Sequence, residues 1–396
     1  MVQDVYVIGS KGIPARYGGY ETFVEKLTAG RQNRDISYHV AAKRSNSNRG
    51  SEKRFVYNNA DVYNINVPNI GPAQAIYYDI AALKFAIQDA KQRQTKNPIF
   101  LVLACRIGPF IKRYVKQIHS LGGAFYVNPD GHEWKRAKWS YPVRRYWKLS
   151  ESLMIKWADL VVCDNRKIQE YIETEYPQYH PLTTYIAYGT ELKTSHLSSE
   201  DTEVRDWFSK HSINENNYYL IVGRFVPENN YETMISEFKK SNTKRELVII
   251  ANIEENAFYR KLLKETNFQD DSRIKFVGTV YNEQLLKYIR ENAYAYLHGH
   301  EVGGTNPSLL EAMSATKLNL LIDVGFNRDV AEDSALYWTK APGNLSQIIN
   351  QADALADADI KERAIHARSI VRTRFTWEKI IREYEASFTR FVVKER

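Results

Sequence analysis

The sequence predicts an α/β protein made of two doubly wound domains, each around a parallel sheet. Three observations carry that prediction. Short apolar runs alternate with segments of helical period along the whole chain. The runs fall into two sets, separated by a polar stretch at residues 191–203 (ELKTSHLSSEDTE). And at 396 residues the chain exceeds one ordinary domain. The first set of strand-like runs is 5–8, 38–41, 62–67, 99–103, 125–127, 160–162 and 184–186. The second is 219–222, 247–250, 274–277, 293–297 and 318–322. The expected domains are 1–195 and 196–375. No internal repeat or long low-complexity tract interrupts them.

Composition narrows the class. Hydrophobic residues make up 43% of the chain, and the mean hydropathy of −0.50 fits a soluble protein. No run approaches the roughly 20 apolar residues of a membrane span. The opening MVQDVYVIGS reads as a strand rather than a charged leader, so an unexported chain is expected. Cys105 and Cys163 each end an apolar run and are expected as buried free thiols. The net charge of +8 asks for an anionic partner. Nucleotide phosphates, nucleic acid and an anionic membrane face all satisfy it.

Taken in order, the first motif is residues 9–23, GSKGIPARYGGYETF. It follows the strand at 5–8 and leads into a helix from about Tyr20, with Phe23, Val24 and Leu27 on the buried side. Gly18 and Gly19 stand just before that helix, where a loop needs freedom and close ligand approach. The glycine spacing is not that of a dinucleotide fingerprint. Lys43 and Arg44 also occupy the place of its acidic ribose partner. The loop is longer than a tight βα turn and has room for an acceptor, although a ligand-free connection reads the same way.

The second motif is residues 127–148, VNPDGHEWKRAKWSYPVRRYWK. Asp130 and His132 follow a strand end, where open α/β sheets place ligand groups. Beyond them Lys135, Arg136, Lys138, Arg144, Arg145 and Lys148 interleave with Trp134, Trp139, Tyr141, Tyr146 and Trp147, with no acid among them. Cations with Trp and Tyr suit the headgroup region of an anionic bilayer or a lipid-linked substrate. They also suit stacked single-stranded nucleic acid, or a solvated basic face with its aromatics turned inward.

The third motif is residues 223–231, GRFVPENNY, after the first strand of the second domain. Arg224 offers a permanently charged fork for a diphosphate. Glu228 on the same loop can hydrogen-bond a sugar or a cation. The fourth is residues 299–313, GHEVGGTNPSLLEAM. Strand, glycine loop and helix turn backbone N–H groups toward an anion. Asn306 caps the helix, Pro307 fits its first turn, and Leu309, Leu310 and Met313 face the core. Gly303 and Gly304 clear the approach, and Glu311 lies about one turn in. A capped connection without ligand has the same pattern. Residues 376–393 close the chain with an amphipathic helix striped by Trp377, Ile380, Ile381, Tyr384 and Phe388.

Together these stretches resemble the family-4 glycosyltransferases of the GT-B fold. GRFVPENN, NPSLLEAM and the final FTWEKIIREYEASF carry the likeness in the C-terminal half. GSKGIPARYGGYETFVEKL and NPDGHEWKRAKW are more specific, and are similar to bacterial β-1,4-rhamnosyltransferases of cell-wall and capsule polysaccharide synthesis. The resemblance implies two Rossmann-like domains facing a cleft, with the last helix (376–396) packed back on the first. It implies dTDP-β-L-rhamnose as donor and a GlcNAc or glucose on a polyprenyl diphosphate as acceptor, joined with retention. Arg224 matches the arginine that holds the donor diphosphate, and Glu311 the glutamate that binds the ribose. Gly303, Gly304, Thr305, Asn306 and Leu309 fall where amides meet phosphate and sugar, and Gly18 and Gly19 border donor and acceptor. Asp130 or His132 takes the acceptor-side catalytic place, and Glu228 accompanies Arg224. Trp134, Arg136, Lys138, Trp139, Arg144, Arg145 and Trp147 would meet the lipid and the inner, cytoplasmic face of the cell membrane.

Two departures stand out. The family spacing puts its first glutamate at Gly303, and the nearest one here is Glu301. The lysine that usually follows the diphosphate arginine is replaced by Asn229 and Asn230. Lys135 or another cation of the N-terminal cluster, delivered on domain closure, is the expected substitute. In the expected mechanism Arg224 and amides near Gly304 stabilise the leaving diphosphate. Asp130 orients the acceptor hydroxyl or takes its proton. No metal or other cofactor is expected, and the acids at 357–359 are expected to face solvent. A UDP or GDP donor, a GT-B epimerase or phosphorylase, a sugar-nucleotide sensor and a nucleic-acid-binding protein are the alternatives. The favoured reading expects no nucleic-acid partner and says nothing of oligomeric state.

Overall fold

A computed structural model describes residues 2–16, 18–136 and 139–394. The chain divides into two compact units, residues 1–189 with 377–396, and residues 190–376.

In the first unit the strands are β1 (Gln3–Ile8), β2 (Ile36–Lys43), β3 (Arg54–Tyr57), β4 (Ala60–Ile65), β5 (Ile99–Leu103), β6 (Ala124–Asn128), β7 (Leu160–Cys163) and β8 (Thr183–Tyr185). Their order in the sheet is β3-β4-β2-β1-β5-β6-β7-β8. All pair in parallel except β3, which runs antiparallel to β4. The intervening helices are α1 (Gly19–Ala29), α2 (Gln74–Arg93), α3 (Gly108–Ser120), α4 (Tyr141–Trp157) and α5 (Arg166–Glu175). Strand side chains alternate between faces. Tyr6, Ile8, Phe100, Val102, Phe125 and Val127 point to one side, where α2, α3, α4 and α5 cover them.

The second unit has β9 (Tyr218–Val222), β10 (Glu246–Ile250), β11 (Ile274–Gly278), β12 (Ala295–His298), β13 (Asn319–Ile322) and β14 (Leu336–Trp338). They form one parallel sheet, β11-β10-β9-β12-β13-β14. Its helices are α6 (Thr202–His211), α7 (Tyr231–Lys240), α8 (Ala257–Thr266), α9 (Glu283–Glu291), α10 (Pro307–Ala315), α11 (Gly325–Ala331), α12 (Asn344–Asp353) and α13 (Asp357–Arg374). Residues of α7, α8 and α12 share one core, and residues of α6, α9 and α10 share the other.

The last helix, α14 (Trp377–Arg390), belongs to the first unit and packs on the face opposite α2–α5. Tyr384 lies 4.9 Å from Phe23 and Phe388 lies 6.3 Å from Tyr38, centroid to centroid. Its buried Glu385 accepts from the amides of Gln32 and Asn33 at 2.9 and 2.8 Å, just beyond the end of α1.

Every run expected as a strand is one. The two strands without a sequence forecast, β3 and β14, are both sheet edges. A short edge strand needs apolar side chains on only one side, so it lacks the continuous run that marks a buried parallel strand. The polar stretch near 191–203 is fastened to the second unit. The Thr190 amide donates to the Phe375 carbonyl at 2.7 Å, and Ser195 bonds Glu291 and the Gln284 carbonyl at 2.8 Å each. No described helix is long and apolar enough to cross a membrane.

Candidate functional site

Each sheet has one switch point, where successive connections leave in opposite directions. Ligands of open α/β sheets bind beyond the carboxyl ends of the strands at such points. In the second unit the switch lies between β9 and β12. The loops leaving those two strands are residues 223–230 and 299–306, the third and fourth motifs.

The asparagines that replace the expected lysine sew these two loops together. Asn229 Nδ2 donates to the Arg224 carbonyl at 2.7 Å, and Asn229 Oδ1 lies 2.8 Å from His300 Nδ1. Asn230 Nδ2 donates to the Gly299 carbonyl at 2.8 Å. The Glu301 amide reaches the Glu228 carbonyl at 3.3 Å. Gly299 permits this contact, because a Cβ there would sit 2.3 Å from the Asn229 carbonyl oxygen. Arg224 is exposed, and its guanidinium has no hydrogen bond or ion pair among the described residues. Glu228 is buried, with Oε2 unpartnered among the described residues.

The loop 299–306 ends at the N-terminus of α10. Asn306 caps it, its side chain accepting from the Ser308 amide at 2.9 Å. Gly303 has φ 141°, a conformation that other residues rarely adopt. Among the described residues, the amides of Gly303, Gly304 and Asn306 donate to no backbone carbonyl. Thr305 and Leu309 are buried beside them. A helix N-terminus carrying unspent N–H groups attracts an anion.

Glu311, one turn into α10, is 46% exposed, and its Oε2 lies 2.6 Å from a guanidinium nitrogen of Arg290. Arg290 comes from α9, is only 4% exposed, and also bonds the Ser308 hydroxyl at 3.2 Å. It therefore fixes the orientation of Glu311 from below. Glu301 is paired with Lys340 at 2.5 Å. His298, at the end of β12, is buried, with Nε2 unpartnered among the described residues. Burial pulls its pKa down to about 3, so the ring is neutral near pH 7.

In the first unit the switch lies between β1 and β5. Gly18, at φ 128°, is the residue before α1, and a Cβ on it would meet the Glu21 carboxylate at 2.0 Å. Gly19 has open space. Arg106, just past β5, donates to the Gly9 carbonyl at 2.9 Å and to the wholly buried Asp79 at 3.0 Å.

Two strands along, Asp130 and His132 follow β6, both at positive φ (58° and 37°). The Asp130 amide donates to Asn128 Oδ1 at 2.9 Å, and its carboxylate lies 3.6 Å from Arg136. Arg136 also pairs with Glu133 at 2.5 Å. The His132 ring lies 4.2 Å from that of Tyr171. Burial first, then the Lys135 and Lys148 charges, lower its pKa to about 4. Lys148 is caged. Its ammonium lies 4.7, 4.9 and 4.9 Å from the rings of Trp134, Tyr171 and Tyr176, and 2.7 Å from Glu175. Trp139 Nε1 donates to Glu133 at 2.9 Å. Arg144 Nε and Trp147 Nε1 are buried and unpartnered among the described residues. Arg145 and Lys135 are exposed, with Lys135 5.2 Å from the Trp134 ring. Lys138 lies outside the described residues.

Sequence reasoning missed Arg106, Arg290 and Lys340. Arg106 had a signal, a cation directly after the apolar run of β5. Arg290 and Lys340 had none, since each reaches its partner from a different element. A cluster of Glu332, Asp333 and His366 lies elsewhere in the second unit, largely exposed, and touches neither loop.

Comparison with known proteins agrees with this architecture. Residues 2–191 match a domain of unknown function, DUF1972. Residues 203–368 match glycosyl transferases group 1. An uncharacterized glycosyltransferase of Methanocaldococcus jannaschii is 24% identical over 401 residues, covering 95% of each chain. Among solved structures, sucrose-phosphate synthase from Thermosynechococcus elongatus superposes with a TM-score of 0.74 at 16% identity, over 98% of each chain. Anabaena HepE in complex with UDP gives 0.70 at 14% identity, over 98% of this chain and 100% of that one. The fold is that of the GT-B glycosyltransferases.

Proposed function

We propose that this chain, a nucleotide-sugar glycosyltransferase of the GT-B kind, moves L-rhamnose from dTDP-β-L-rhamnose to a GlcNAc or glucose on a polyprenyl diphosphate. The new bond is β-1,4, and configuration is retained. The carrying observation is the pairing of an uncommitted Arg224 with the unspent amides of Gly303, Gly304 and Asn306 on the two switch-point loops of the second unit. That set matches a leaving diphosphate in charge and in hydrogen-bond demand. As the anomeric carbon gains oxocarbenium character, charge moves onto the departing phosphate, and these donors receive it. The acceptor hydroxyl attacks that carbon from the face the phosphate leaves, and its proton passes to a phosphate oxygen or to Asp130. Glu311, braced by Arg290, takes the ribose hydroxyls, and Glu228 takes a hydroxyl of the donor sugar. The rhamnosyl choice rests on the resemblance of GSKGIPARYGGYETFVEKL and NPDGHEWKRAKW. The neutralising groups are cationic and backbone ones, so the reaction proceeds without a divalent metal and survives EDTA. The chain works at the inner membrane face, where its acceptor lies.

A second donor reading has its own support, because the Anabaena relative was solved with UDP. Thermal-shift measurements with dTDP, UDP and GDP separate the two. dTDP is expected to raise the melting temperature most. A shift with UDP alone moves the donor assignment, and no shift with any of the three ends the transferase reading. Mass spectrometry with a synthetic lipid-diphosphate GlcNAc is then expected to show the mass of one added deoxyhexose.

A further inference from the structure

The outward side of α2, α3 and α4 in the first unit exposes no carboxylate. The chain as a whole holds 47 acids, but these three helices carry only Asp79, Asp89 and Glu151, and all are buried. Each is paired inward. Asp79 meets Arg106 at 3.0 Å, Asp89 meets Arg54 and Arg93 at 3.0 and 2.9 Å, and Glu151 accepts from Tyr171 and Tyr176 at 2.5 Å. What faces out is cationic: Lys84, Lys112, Arg113, Lys116, Arg145 and Lys156. Among these cations stand Tyr77, Phe110, Tyr141 and Leu149, from 46 to 72% exposed.

The three helices form one layer. They cover the same strand side chains, and α3 packs on both neighbours. Gly108 lets α3 approach α4 so closely that a Cβ there would meet the Ser150 carbonyl oxygen at 2.2 Å. On the other side of the sheet α14 exposes both signs, as in the Glu378–Arg382 pair. The one-sided charge is thus a property of α2, α3 and α4, and it ends at α5 on the same side of the sheet, where Glu170, Glu173 and Glu175 are exposed.

We propose that this layer docks the protein on an anionic phospholipid bilayer, with Phe110, Tyr141 and Leu149 entering the headgroup region. The proposal rests on the lipid-linked acceptor reading and gives it a surface. It also relocates the membrane contact, because Arg136, Trp139 and Trp147 of the motif at 127–148 are turned into the protein. Exposed aromatic and leucine side chains ringed by cations are what an anionic interface binds. Single-stranded nucleic acid asks instead for a basic groove lined with stacking platforms. One of its helices, α4, starts at Tyr141, a few residues beyond Arg136, so a docked layer keeps the Asp130 loop near the lipid that bears the acceptor.

Sedimentation of the full chain with vesicles of phosphatidylcholine, with and without phosphatidylglycerol, tests this. Binding is expected only to the anionic vesicles and is expected to weaken with salt. Each cation near such a surface contributes about fivefold, so Lys112→Glu with Arg113→Glu and Lys116→Glu should lower the partition coefficient at least about 100-fold. Phe110→Ser with Leu149→Ser should weaken binding while keeping its salt dependence. Both variants should retain the wild-type melting curve and its shift with dTDP, since all five side chains face solvent. Unchanged binding in the charge-reversal variant, or no binding by the wild type, overturns the proposal. So does tighter binding to an oligonucleotide than to the vesicles. The dTDP shift is read separately, so loss of vesicle binding with the shift intact removes this surface and leaves the transferase reading standing.

Discussion

In the second unit the groups aimed at a ligand are mainly backbone amides and one uncommitted guanidinium. In the first unit the corresponding loops are filled with side chains already committed to one another. Arg136 is spent on Glu133 and Asp130, Lys148 on an aromatic cage, and Arg106 on Asp79. Two loops after two strands make up the proposed donor site, and two asparagines lock them together. The acceptor side draws on β6, α4 and α5 together. Amides cost no reorganisation when charge arrives, so the donor side behaves as a preset anion trap. A network of mutually bound side chains can instead be tuned one partner at a time.

Removing the uncommitted cation should have the largest effect. Arg224→Ala is expected to lower kcat/KM about 100- to 1,000-fold, the range for a donor aimed at developing charge. Its melting curve should not move, because the exposed guanidinium makes no hydrogen bond or ion pair among the described residues. If Arg224→Ala instead cost only a fewfold, the anion trap would rest on amides alone and the contrast between the units would sharpen.

Next in size is the brace beneath Glu311. Arg290→Met leaves the carboxylate exposed but free to rotate. The expected result is a rise in KM for the nucleotide sugar of about tenfold, matching the loss of one charge-assisted hydrogen bond, with kcat little changed. Glu311→Gln should resemble it. A fall in kcat at unchanged KM would place Glu311 in the chemistry rather than in ribose binding.

How much of this was legible follows from the same contrast. The donor loops could be read because Gly303, Asn306 and Pro307 obey local rules for turns and helix starts, and Arg224 sits a fixed distance past a strand. The strands were legible for a similar reason, since buried parallel strands are continuous apolar runs. The edges β3 and β14 were not. Arg290, Lys340 and the cage around Lys148 were invisible because each joins residues far apart in sequence. The basic aromatic stretch at 127–148 was visible, but the sequence could not say which of its side chains turn inward.

Acid sensitivity offers a smaller test. His298 is held neutral by burial, with a pKa of about 3 against an ordinary value near 6.5. Below pH 6.5 the unfolded chain binds a proton that the folded unit refuses. Stability from this group is therefore complete above pH 6.5 and is lost as pH falls toward 3. His132 acts in the same direction with a pKa of about 4. The buried His39 acts oppositely: burial lowers its pKa, but Asp4 and Asp61 outweigh that and raise it, so its contribution fades as pH rises. Amide exchange in β12, corrected for the intrinsic rate, should show protection falling below pH 6.5 in the wild type and a flatter profile in His298→Gln. Equal profiles would mean that His298 takes up its proton without opening the strand.

The smallest expected effect concerns the replaced lysine. Asn229 and Asn230 occupy its place and are spent on joining the loops, so the second unit presents one fixed cation fewer to a diphosphate. Two substitutes are open. Lys135 in the first unit is exposed, with its ammonium over the face of Trp134, whereas Lys340 is local and bound to Glu301. An exposed ammonium interacts through water and loses much of its field to screening. Lys135→Ala is therefore expected to lower kcat/KM only about three- to tenfold, more at low salt than at high. Lys340→Ala should do no more than this, since the Lys340 charge is already offset by Glu301, which its removal frees to bond the sugar. If Lys135→Ala leaves donor affinity and turnover unchanged while Lys340→Ala weakens both, the second unit carries its whole diphosphate site alone.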